Sequence, residues 1–65
     1  MIGYNTKLKT LNKMLKPDYI IEQNKDELVI YRIFDDKGQK FNEIQGVFYK
    51  KKDLLEYLIE QNLFQ

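Results

Sequence analysis

The segment Leu28-Val-Ile-Tyr-Arg-Ile-Phe34 constrains the architecture more than any other part of this chain. Its β-branched and aromatic content reads as a strand, and side chains along a strand alternate between the two faces of the sheet. One parity gives Val29, Tyr31 and Ile33; the other gives Leu28, Ile30, Arg32 and Phe34. Both sets are largely apolar, so this is a central strand whose two faces both favour a cover.

Turn chemistry and a second periodicity frame that strand. Asp35-Asp36-Lys37-Gly38 fits a type I turn with Gly38 left-handed, the three-residue hairpin loop. A third strand follows from Phe41 to Tyr49, with Gly46 as a candidate bulge. Upstream, Tyr19 to Gln23 is a short strand bounded by Pro17 and the polar turn Asn24-Lys25-Asp26. At both ends of the chain the apolar period becomes helical. Tyr4, Leu8, Leu11 and Leu15 form one stripe, which Asn5 or Thr6 can cap and which ends at Lys16, the residue before Pro17. From about Lys51, residues Leu54, Leu55, Leu58 and Ile59 form another, bordered by Tyr57, and Leu63 and Phe64 either extend it or fold back onto the core. The expected fold class is α+β: one domain over 1–65, in the order α-β-β-β-α, a three-stranded antiparallel meander packed by two helices.

A 65-residue chain of this kind buries only about 60% of the surface its unfolded form exposes. Its core is thin, and association would add to its stability. The chain has no Cys, and a secreted domain this small usually relies on disulfides, so a reducing compartment is expected. The N-terminal Met-Ile-Gly-Tyr lacks a signal pattern. No apolar run reaches the roughly 18 residues that span a bilayer. The expected location is cytoplasmic, with no membrane partner. Abundant Lys, Asn, Ile and Tyr, with Ala, Ser and Trp absent, match the usage of AT-rich genomes such as low-GC bacteria and their phages.

Without His, Cys or Ser, the usual catalytic triads, zinc sites and haem ligation cannot be assembled. The pairs Asp26-Glu27 and Asp35-Asp36 sit in turns, where acids form the turn and solubilise it. No phosphate-binding glycine loop or calcium-loop spacing is present. The expectation is a non-enzymatic protein with no catalytic or metal-binding residues, no cofactor and no small-molecule substrate.

Two surfaces carry what remains. If both helices pack on the Val29 side, the face bearing Leu28, Ile30, Arg32 and Phe34 stays open as an interface for a protein partner or a second copy. The alternatives are helices on opposite faces, or an end of the chain over the second face. The other surface is basic. Lys9, Lys13 and Lys16 lie opposite the apolar stripe of the first helix, and Lys50, Lys51 and Lys52 stand where the last helix begins. Cations there oppose the helix dipole by about 0.3–1 kcal/mol each, which suggests an anion site; a solvated lysine run is the alternative.

Leu11-Asn12 followed by Pro17-Asp18-Tyr19, and Gly46 followed by Lys50, Lys51 and Lys52, occur in an element order that resembles the double-stranded RNA-binding domain. That resemblance implies lysines gripping phosphates across a groove of the duplex. Asn24-Lys25-Asp26 stands where that family carries Gly-Pro-x-His, and Leu54, Leu55, Tyr57 and Leu58 stand where its last helix is rich in Ala. Net charge is only +1, against the strong positive bias of nucleic-acid binders. The likeness is therefore one of topology. The leading expectation is a protein-binding module, a phage or mobile-element accessory protein that inhibits or redirects a host replication, transcription or defence protein. The second is direct nucleic-acid binding through the six lysines.

Overall fold

The apolar period changes twice along the chain, and the backbone follows it. A computed structural model describes residues 6–65; Tyr4 and Asn5, expected in the first stripe and its cap, lie outside the described residues. The elements are α1 (Leu8–Met14), β1 (Tyr19–Asn24), β2 (Glu27–Asp36), β3 (Gln39–Phe48) and α2 (Lys51–Glu60). The strands form an antiparallel meander in the order β1-β2-β3, giving the expected α-β-β-β-α domain. The start of α1 falls at Lys7, whose side chain makes no capping hydrogen bond, rather than at Thr6.

Both helices lie on one side of the sheet, α1 over β1 and α2 over β3. The side they cover is the Ile30 side, opposite to the expected one. Leu11 of α1, Leu15 at its C-cap, and Leu54, Leu55 and Leu58 of α2 close over Ile21, Leu28 and Ile30. The reason lies in the neighbouring strands. In register, Ile30 is flanked by Ile21 and Gly46, whereas Val29 is flanked by Glu22 and Val47. A helix laid over Val29 would have to desolvate the Glu22 carboxylate without a partner. At Gly46 the missing side chain leaves room for the Phe48 ring, which lies 2.9 Å from where a Cβ would stand. Phe48 in turn packs against Tyr57 of α2, ring centroids 5.2 Å apart.

The bulge expected near Gly46 is present one residue earlier. Ile30 pairs with Gly46 and Tyr31 with Ile44, which leaves Gln45 without a partner. In a regular strand Ile44 and Phe48 would share a face. The extra residue sends Phe48 to the core and Ile44 to the other side.

The hairpin loop is shorter than expected. Asp36 pairs with Gln39, so Lys37-Gly38 is a two-residue loop, with φ 52° and 84°. Positive φ at both positions is the type I′ pattern, whose twist matches that of the flanking strands. Gly38 adopts this conformation freely, whereas Lys37 does so at a cost. Lys25, first residue of the β1–β2 loop, also has a positive φ of 57°.

Leu63 and Phe64 fold back instead of extending α2. Asn62 takes φ 56°, its N–H donates to the Ile59 carbonyl (3.1 Å), and the Leu63 N–H donates to the Leu58 carbonyl (3.0 Å). This is a Schellman termination, and the burial of Leu63 with Leu58 in the core completes it. The tail then runs beside the end of α1, where the Lys16 N–H donates to the Leu63 carbonyl and the Gln65 N–H to the Met14 carbonyl, both at 2.9 Å.

Candidate functional site

With the helices on the Ile30 side, the opposite face of the sheet presents Ile20, Val29, Tyr31, Ile33, Ile44 and Val47. Ile20, Tyr31 and Ile44 form one row across the three strands; Glu22, Val29 and Val47 form the next. Val29 is the floor of this patch, 6% exposed, while Ile44 and Val47 at its β3 side are 58% and 41% exposed. Among the described residues no helix lies over this face.

Of the four side chains expected to form an interface, two are not on an accessible face. Leu28 and Ile30 are core residues, Ile30 wholly buried. Arg32 and Phe34 share their side of β2, and they engage each other. The guanidinium lies 4.7 Å from the Phe34 ring centroid and its Nε is 3.4 Å from Asp18 Oδ2. Past Arg32 the sheet narrows, because β1 begins at Tyr19 and the Asp18 carbonyl accepts the Ile33 N–H (2.7 Å). From there β2 and β3 continue as a two-stranded ribbon on which Phe34 pairs with Phe41.

The six lysines fall in two separate groups, with Lys9, Lys13, Lys51 and Lys52 within the helices and Lys16 and Lys50 flanking them. Lys9 and Lys13 are exposed on α1 and Lys16 is half-buried beyond its end. Lys50 is the N-cap of α2, without a side-chain cap, and Lys51 and Lys52 open the helix with Asp53 beside them. Among the described residues the one ion pair is Arg32–Asp18, so none of the six is neutralised by a paired carboxylate. The two groups lie on the helix side of the sheet, over opposite edges.

Asn12 has a role that the sequence did not disclose. Its Oδ1 accepts the Ile21 N–H (2.7 Å) and its Nδ2 donates to the Ile21 carbonyl (3.0 Å). One side chain thereby satisfies both outward backbone groups of β1 at that position. The only signal was a polar residue at the border of the apolar stripe, between Leu11 and Leu15.

No protein-family model matches this chain, and comparison with curated proteins and with solved structures finds no match. The likeness to the double-stranded RNA-binding domain rests on element order. No helix among the described residues is long and apolar enough to cross a membrane.

Proposed function

We propose that this protein is a protein-binding module that docks a partner onto the face of its sheet opposite the helices. The observation that carries this reading is the continuous patch Ile20, Val29, Tyr31, Ile33, Ile44 and Val47, drawn from all three strands. Fully burying an exposed aliphatic side chain there, Ile44 above all, would contribute up to about 1.5–3 kcal/mol, and contiguous apolar surface of this kind marks interaction sites. A small domain without catalytic equipment suits a modulator, one that occupies or redirects a larger cytosolic protein. An accessory protein of a phage or mobile element acting on host replication, transcription or defence machinery fits that role.

The test is photocrosslinking in cells, with a benzophenone amino acid at position 44 and, as the control, at position 13 on α1. Position 44 should give discrete protein adducts that disappear with Tyr31→Asp. Protein adducts that persist with Tyr31→Asp, or none from position 44, would refute the reading.

A second reading has its own support in the six lysines that lack carboxylate partners. Nucleic-acid binding through them would weaken steeply with salt and would be lost with Lys51→Glu and Lys52→Glu together. Fluorescence anisotropy with labelled single- and double-stranded DNA and RNA decides it; an unchanged titration in the double variant removes these lysines from any such site.

A further inference from the structure

We infer that the segment docking on the open face is basic: apolar anchors flanked by Lys or Arg. This rests on the reading that the face binds protein. The patch has a rim of one dominant sign. Glu22 stands beside Val29 in register, and Glu27 and Asp35 fall on the same side of β2 by alternation. The sole base among the strand residues of this face is Lys40, directly across from Asp35. Among the described residues none of these four is in an ion pair. The two lysine groups stand on the helix side, so the strand positions of this face carry three carboxylates, Glu22, Glu27 and Asp35, against the one ammonium of Lys40.

That asymmetry selects among occupants. A neutral apolar partner would bring low-dielectric surface up to Glu22 and Glu27 and offer nothing in return for their lost hydration. A second copy packed face to face would gather both sets of carboxylates around one patch, a like-charge arrangement that costs affinity. Nucleic acid would meet the same repulsion. A partner carrying cations beside its apolar anchors matches both the centre and the rim, and complementarity of this kind acts mainly through association rate and salt dependence.

The experiment is selection of a random peptide display library on the folded protein and, in parallel, on the Tyr31→Asp, Ile44→Asp variant. Peptides retained only by the wild type are sequenced and titrated against the wild type and against Glu22→Lys, Glu27→Lys. The expected result is face-dependent peptides with excess Lys or Arg next to apolar anchors, weakened about tenfold or more by the charge reversal and by added salt. Face-dependent peptides that are neutral or acidic, or that bind the charge-reversed protein equally well, would overturn the basic-partner inference and leave the open-face reading standing. An absence of face-dependent peptides would remove both. Sedimentation showing a wild-type dimer that Tyr31→Asp dissociates would assign the face to a second copy instead. Thermal melts establish that each variant is folded; Glu22→Gln, Glu27→Gln replaces the charge reversal if that variant is not.

Discussion

The two faces of the sheet come from the same ten residues of β2, yet one packs against both helices and the other, among the described residues, against neither. Leu28 and Ile30 are matched in apolar character by Val29 and Ile33. What separates them is the residues to either side: Ile21 and Gly46 flank Ile30, whereas Glu22 stands beside Val29. Which side a helix covers is thus decided by adjacent strands, through one carboxylate that resists burial and one glycine that leaves space. An apolar strand says that a cover is favourable; its neighbours say where the cover goes.

Substitutions on β2 break this comparison most sharply. Ile30→Asp should fail to fold, and Ile30→Ala should lose about 2–5 kcal/mol in a chemical denaturation. An Ile30→Ala loss below about 1 kcal/mol would show that the core does not depend on this face. Asn12→Ala leaves the outward groups of Ile21 without their partner and should cost about 1–3 kcal/mol, with faster amide exchange at Ile21. Unchanged exchange there would mean that water replaces the side chain at no cost. Lys37→Asn places the residue favoured by a type I′ turn before Gly38 and should raise stability by about 0.5–1 kcal/mol, read as a higher denaturation midpoint. The smallest effect belongs to the open face, where Ile44→Asp should stay within about 0.5 kcal/mol of the wild type while abolishing the binding of face-dependent peptides. Strong destabilisation by Ile44→Asp would mean that this face, too, belongs to the core.

Element order was legible because the apolar period itself changes, from helical to alternating and back, and Pro17 and Gly38 mark two of the boundaries. The choice of face was not legible, for a physical reason. It depends on register, and register depends on the loop. Reading the Asp35–Gly38 turn as a three-residue loop, where Lys37-Gly38 alone connects the strands, shifts β3 by one position against β2, and one position exchanges its faces. The unpaired Gln45 exchanges them again further along. Two single-residue features, neither visible as a break in hydrophobicity, therefore determine where Ile44 and Phe48 go. Deleting Gln45 sharpens the point. Gly46 would still face the helices and Ile44 the open side, so the variant should fold with its faces unchanged and β3 straightened. The lysines were legible as residues on the helices or at their ends; their chemistry in isolation does not name a ligand.

Asn12 has a consequence for stoichiometry. A strand arriving at β1 would find both outward groups of Ile21 already taken, whereas β3 is the edge on the other side of the sheet. The sheet is in this sense monovalent. Two copies joined β3 to β3 would present only their guarded edges, and a single asparagine on each would terminate growth at a pair instead of allowing a fibre.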